Sequence, residues 1–482
     1  MRLPGLACPG GDGRLGSSRH DGDQMTEATV PPDLAGALRG DVLDASHPEY
    51  DEARALYNAM IDRRPRLIAR CVDVADVIEA VRFGRESGLG IAVRGGGHSG
   101  AGHGSVEDGL VIDLSPMRGV LVDPEERVAQ VLGGTVLGEV DHATHAFGLA
   151  APFGIISTTG VGGLTLGGGV GNLTRTLGLS IDNLVAADVV LADGSFITAS
   201  EDRNDDLFWA LRGGGGNFGV VTSFTFRLSP ISTIVGGPTF WSLDRTAEIL
   251  SWYREFLPNA TEELNGFFAF HTIPPAPPFP EQFHFQKMCG VVWCYTGDPK
   301  EADEVFGPVR ELAPDLPGLA EMPFPALNSA FDGLYPPGDQ WYWRSDYVAE
   351  VPDEAVAIHA DFAARLPTLK STMHLYPVGG AAARVANEAT AFSYRDAGWV
   401  QVIVGVDPDP AQVEPAKEWA RDYWDALHPF SMGGGYVNML GEDEGHDRVR
   451  STYRGNYDRL VELKRKYDPD NLFRVNWNIS PE

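Results

Sequence analysis

Arg94-Gly95-Gly96-Gly97-His98-Ser99-Gly100 follows the short apolar run Ile91-Ala92-Val93, and two further glycine-dense runs come later, Gly160 to Gly171 and Gly213 to Gly219. Gly95, Gly97 and Gly100 fit a GxGxxG spacing, and so do Gly214, Gly216 and Gly219. A dinucleotide fingerprint needs a strand before it and a helix opening on its last glycine. Here Gly100 is followed by Ala101-Gly102-His103-Gly104-Ser105, which is not helical. Gly219 is followed by Val220-Val221-Thr222-Ser223-Phe224, which reads as a strand. A Rossmann site fails on context at both places. Any one run could be a tight turn. Three together, two of them entered from strands, favour a large phosphate-bearing cofactor wrapped by loops, because bare glycines let successive backbone N–H groups converge on an anion. His98 stands at the end of a strand with no bulky neighbour. A neutral imidazole is nucleophilic, so it could bond an electrophilic cofactor carbon.

Working outward, Leu67 to Cys71 reads as a short buried strand, and Asp73 to Ser87 as an amphipathic helix. Asp73 is its N-cap, Val74, Val77, Ile78, Val81 and Phe83 form its apolar stripe, and Gly88-Leu89-Gly90 ends it. Apolar residues also recur at helical spacing from Tyr50 to Met60. Strands are expected at Ile91 to Arg94, Leu110 to Leu114, Val128 to Leu132, over a β-rich segment from Leu184 to Thr198, and at Gly219 to Leu228. Helices are expected near Thr135 to Phe147 and Asp205 to Arg212. Past Pro230, strands at Gly266 to His271, His284 to Tyr295, Thr372 to Tyr376, Trp399 to Val406 and Tyr436 to Leu440 alternate with helices such as Asp353 to Arg365 and Val413 to Leu427. That pattern predicts an antiparallel sheet with helices on one face. The expected division is an extension over 1–31 read as disordered, a cofactor-binding domain over 32–230, a substrate domain over 231–440, and a segment over 441–482 returning to the first domain.

The 482 residues carry 38 Lys+Arg against 67 Asp+Glu, a formal charge of −29, which argues against nucleic acid or an anionic membrane surface as partner. It also makes backbone amides, rather than lysines, the expected phosphate donors. Cys8, Cys71, Cys289 and Cys294 have no zinc-like or disulfide-scaffold spacing, and no stretch approaches a membrane span. Residues 1–30 lack the apolar core of a secretion signal, with Met25 a plausible alternative start, so a cytoplasmic location is expected. His142 and His145 have no third ligand nearby in sequence and are read as solvated, with no metal expected.

Arg94-Gly95-Gly96-Gly97-His98 resembles the flavin-attachment motif of the berberine-bridge-enzyme-like FAD-linked oxidases of the vanillyl-alcohol-oxidase superfamily. Phe153 to Gly169 is similar to that family's second FAD-binding loop, and Asp206 to Val221 to its third. Lys466 to Arg474 with Asn476-Trp477-Asn478-Ile479 resembles its C-terminus. The likeness runs in order from about Tyr50 to the end, with bacterial members of the 6-hydroxy-D-nicotine oxidase type nearer than the plant enzymes. It implies an α+β fold with a PCMH-type FAD-binding domain of two α/β subdomains. It implies FAD bonded to His98, with Arg94, Gly95, Gly96, Gly97 and Ser99 around it. It also implies the second loop (Gly160, Val161, Gly162, Gly163, Gly167, Gly168, Gly169, Gly171, Asn172) on the pyrophosphate and flavin, and Gly219, Val220 and Val221 near the adenine. Asn476 and Asn478 reach either the flavin edge or the tail's own backbone. Bicovalent members carry a Cys where this chain has Ile156, so one covalent bond is expected.

Period-2 facing supplies the catalytic candidates: His374 with Tyr376, Tyr436 with Asn438, and Gln401 with Trp399. Tyr436 is the preferred base. Trp341-Tyr342-Trp343 reads as core or cleft wall. Three functions remain open from the sequence: an oxidase acting on a small alcohol, amine or secondary metabolite with O2 reduced to H2O2, a flavin dehydrogenase not using O2, and a flavin-containing metabolite-binding protein.

Overall fold

A computed structural model describes residues 30–482. Residues 1–29, most of the extension read as disordered, lie outside the described residues. The first sheet has four strands in the order Val42–Leu43, Leu67–Arg70, Leu110–Asp113, Ile91–Arg94, the last three mutually parallel. Helix Val74–Ser87 makes the crossover. The Asp73 carboxylate caps its start by accepting from the N–H groups of Ala75 and Asp76, and Gly88 ends it at φ +66°. Its buried stripe centres on Val77, Ala80, Val81 and Gly84, with Val74, Ile78 and Phe83 half-buried on the flanks. Burying Val77 and Val81 contributes about 1.5–3 kcal/mol each.

The second sheet is antiparallel throughout, in the order Val120–Asp123, Val128–Leu132, Val220–Arg227, Leu184–Val190, Phe196–Ser200. The third has eight strands, all antiparallel. Its path runs Leu316–Pro317, Thr233–Ser242, Lys287–Tyr295, Leu264–Thr272, Thr372–Pro377, Trp399–Asp407, Gln340–Val348, with Ala320–Pro323 paired onto Thr233–Ser242. Helices Thr246–Asn259, Asp353–Ala364 and Val413–Leu427 cover one face of it, burying Trp241, Tyr253, Phe268, Trp293, Met373 and Leu375. The other face turns toward the two smaller sheets. The chain then returns: Tyr453, Tyr457, Leu460 and Ile479 pack into the core beneath the second sheet. The buried Lys464 ammonium ties that return to the third glycine run, donating to the Asn217 and Phe473 carbonyls and to Asp468.

Three expected elements differ. The helical spacing from Tyr50 to Met60 yields a helix only over Tyr50–Arg54. Beyond it, Tyr57 N–H donates to the Gly97 carbonyl and the Asn58 amide to those of Gly100 and Trp341, so long-range partners outcompete the local helix. The glycine-dense second run contains a short helix, Val161–Leu166. Tyr436 to Leu440 is not a strand but a 3-10 turn over Val437–Met439, because Tyr436 N–H is captured by the Ser345 hydroxyl at 3.0 Å.

Candidate functional site

Where the three sheets converge lies a cavity of about 340 Å³, walled by the first glycine run, part of the second and third runs, the C-terminal tail and the uncovered face of the large sheet. The first two runs meet back to back. A Cβ on Gly96 would stand 2.3 Å from Gly160 N, and one on Gly160 would stand 2.3 Å from Gly96 N. No other residue fits at either position. Gly163 and Gly216 are different: both line the cavity, and a Cβ on either would meet no protein atom within 4 Å. Their bareness serves space that the protein itself leaves open, as a cradle for a bound group requires.

Arg94 is buried and closed by Asp113, donating through Nε at 3.2 Å and Nη2 at 2.7 Å, and also to the Ala53 carbonyl. It therefore fixes the root of the loop and offers no free charge to a ligand. His98 follows on the cavity wall. Its ring stacks on Tyr57 with centroids 3.8 Å apart, and Nε2 lies 3.0 Å from the Thr158 hydroxyl. Burial pushes the imidazole down to about 4, so it is neutral and nucleophilic near pH 7. Tyr57 is itself anchored, its hydroxyl donating to the Tyr335 carbonyl at 2.7 Å.

Of the residues expected to hold a cofactor, Arg94, Gly95, Gly96, Gly97, His98, Ser99, Gly160, Gly162, Gly163, Gly219, Val221 and Asn476 line the cavity. The others do not. Val161 and Val220 point into the cores of the smaller sheets. Gly167, Gly168, Gly169, Gly171 and Asn172 lie behind the wall, where a Cβ would strike Asn438, Phe392, Ser180 or the Phe153 carbonyl, and Asn172 donates to Asn328. The second half of that run is therefore bare for packing. Asn476 donates its amide to the Gly216 and Phe473 carbonyls and leaves Oδ1 without a partner. Asn478 sits behind it, off the lining, its Oδ1 also unpartnered.

On the large sheet, His374 and Tyr376 face the cavity, with Tyr376 Oη 2.5 Å from His374 Nδ1. Tyr436 and Asn438 also line it. The Tyr436 oxygen accepts from the N–H groups of Gly169 and Val170 at 3.0 and 3.2 Å and from the Asn438 amide at 3.0 Å. Burial raises the Tyr436 phenol, and these three donors oppose the rise. Gln401 is a correction. It pairs with Leu375, which faces the helices, so Gln401 points away from the cavity and Val402 and Val404 face it instead. Trp341 and Trp343 are cleft wall, as the sequence allowed. Tyr57, His103 and His271 were not expected as site residues and carry no local sequence signal. Only long-range folding brings them to the cavity.

Residues 65–200 match the model of an FAD binding domain, and residues 435–480 that of berberine and berberine-like proteins. Fold and glycine-walled cavity together are those of an FAD-linked oxidoreductase. The chain belongs to the berberine-like family of these enzymes. It is 32% identical over 452 residues to an FAD-linked oxidoreductase of Bacillus subtilis (strain 168), covering 92% of this chain and 97% of that one. The crystal structure of 6-hydroxy-D-nicotine oxidase from Arthrobacter nicotinovorans superposes with a TM-score of 0.84 at 26% identity, over 94% of this chain and 100% of that one. Glucooligosaccharide oxidase from Acremonium strictum, which carries a 6-S-cysteinyl, 8α-N1-histidyl FAD, superposes at 0.81 with 25% identity, over 93% and 98%. Among the described residues no helix is long and apolar enough to cross a membrane.

Proposed function

We propose that this enzyme carries FAD bonded through His98 alone and oxidises a small molecule, with O2 as the electron acceptor. The observation that carries the reading is the neutral His98 ring, held between Tyr57 and Thr158 on a cavity whose wall also includes Gly163 and Gly216, two glycines that no protein atom crowds. None of the described cysteines lines the cavity, and Ile156 occupies the wall where a second, thiol bond would form, which supports a single attachment. A cytoplasmic location fits these buried free thiols.

FAD bound in this cavity would supply the two-electron chemistry, a hydride equivalent taken from a substrate carbon and both electrons passed to O2, which with two protons becomes H2O2. The chain supplies the rest. Thr158 orients the His98 ring, Arg94 and Asp113 hold its loop, and the aromatic wall excludes water. Tyr436 is the proposed base. Burial holds the Tyr436 phenol above its usual value, and the three N–H donors on its oxygen reduce that cost for the phenolate, the form that would take the proton of a substrate hydroxyl or amine.

Purified enzyme denatured in acid should keep its yellow colour on the polypeptide, and His98→Ala should release it. Covalent flavin surviving in His98→Ala would overturn the assignment.

A further inference from the structure

The large-sheet wall of the cavity holds polar groups that the proposed proton and electron transfers do not use. His271, on strand Leu264–Thr272, and His374, on the neighbouring strand Thr372–Pro377, line it with ring centroids 6.0 Å apart. Burial holds the Tyr376 phenol far above its usual range, so its hydroxyl keeps its proton and donates it to His374 Nδ1. Burial likewise drives the His374 ring to its neutral form. A neutral imidazole that accepts at Nδ1 carries its hydrogen on Nε2. That Nε2 is buried without a partner, and so is Nε2 of His271.

The surroundings restrict what could satisfy these nitrogens. Phe331 lies parallel to the His271 ring at 5.8 Å, and Phe267 stands 5.3 Å from His374. Trp341 and Trp343 complete an aromatic wall. Among the described residues Arg94 is the one Lys, Arg, Asp or Glu on the lining, and Asp113 already closes it. A carboxylate or ammonium would therefore enter without a counter-charge, at a large desolvation cost. A sugar would bring more hydroxyls than this apolar wall can pair.

We propose that His374, with His271 beside it, is a recognition point for an uncharged aromatic substrate, donating an imidazole N–H to an acceptor oxygen or nitrogen remote from the carbon that is oxidised. The proposal rests on the flavoenzyme reading and names the substrate class of that site. Both histidines bind and orient; neither moves a proton.

The test uses the holoenzyme and three probes of one shape, with dissociation constants read from tryptophan fluorescence. Acetophenone offers a carbonyl acceptor, α-methylstyrene has none, and benzoate is charged. Acetophenone should bind about tenfold more tightly than α-methylstyrene, and benzoate more weakly than either. His374→Phe should bring the acetophenone preference close to unity, while His374→Gln, whose amide N–H can stand near the lost Nε2, should restore most of it. His271→Phe provides a second variant should His374→Phe not fold. A wild-type enzyme without preference, a preference unchanged by both Phe variants, or benzoate bound as tightly as acetophenone would overturn the proposal. Protein free of flavin that still ranks the probes as expected would sink the cofactor reading and leave the recognition point standing.

Discussion

At the residue scale, the proposed chemistry rests on Tyr436. Its oxygen ends a fan of three N–H donors, an arrangement that opposes the effect of burial on its proton. Tyr436→Phe should lower kcat by about 10²- to 10⁴-fold with flavin still bound and KM little changed. It should also cost about 1–3 kcal/mol of stability, because the Gly169 and Val170 N–H groups are left buried and unpaired. Steady-state kinetics beside a denaturant melt separates the two effects. A kcat within a fewfold of wild type would leave Tyr436 a purely structural residue.

At the scale of elements, the glycine runs divide into two kinds that the sequence alone does not separate. Gly96 is bare because Gly160 lies against it, and Gly163 is bare although nothing in the protein does. Gly96→Ala should therefore unfold the loop or the protein. Gly163→Ala, inside helix Val161–Leu166, should leave the melting temperature of flavin-free protein unchanged or slightly raised while flavin loading falls. Equal loss of stability in both variants would contradict this division. Strand faces show the same boundary of legibility. Alternation correctly grouped His374 with Tyr376 and opposed them to Met373 and Leu375. It also grouped Gln401 with Trp399, but put that pair on the wrong side. Period 2 defines two faces without saying which meets the cavity, and polarity misled because the cavity-facing residues of that strand are valines. Only the pairing of Gln401 with Leu375 decides it. Tyr57 and His271 were illegible for a different reason: their partners, Gly97 and Phe331, are distant in sequence and leave no periodic trace.

Across the whole molecule, a buried polar chain joins the second glycine run to helices Phe324–Asn328 and Leu137–His145. Asn172 donates to Asn328, which donates to Asp141 on helix Leu137–His145. Burial pushes the Asp141 carboxyl up to about 7, from a usual value near 3.8. Between those values the unfolded chain has lost this proton and the folded one keeps it, so the group's contribution is fully present below about pH 4 and is lost as pH rises through 7. Asp141→Asn should thus be more stable than wild type at pH 8, by about 2–4 kcal/mol, with the difference vanishing toward pH 4. A difference that does not vary with pH would contradict the assignment.

The fold class and the glycine-walled cofactor cleft were readable from motif order, while the aromatic end of the cavity emerged only from the packing of three sheets. What unites them is the proposed attachment at His98. Peptide mapping tests it most directly. Tryptic cleavage after Arg94 and Arg118 isolates a peptide holding both His98 and His103, and fragmentation locates any flavin on it. Flavin mass on His98, with His103 unmodified, is the expected result. An unmodified Gly95–Arg118 peptide from yellow protein, or flavin on any other residue, would contradict the account.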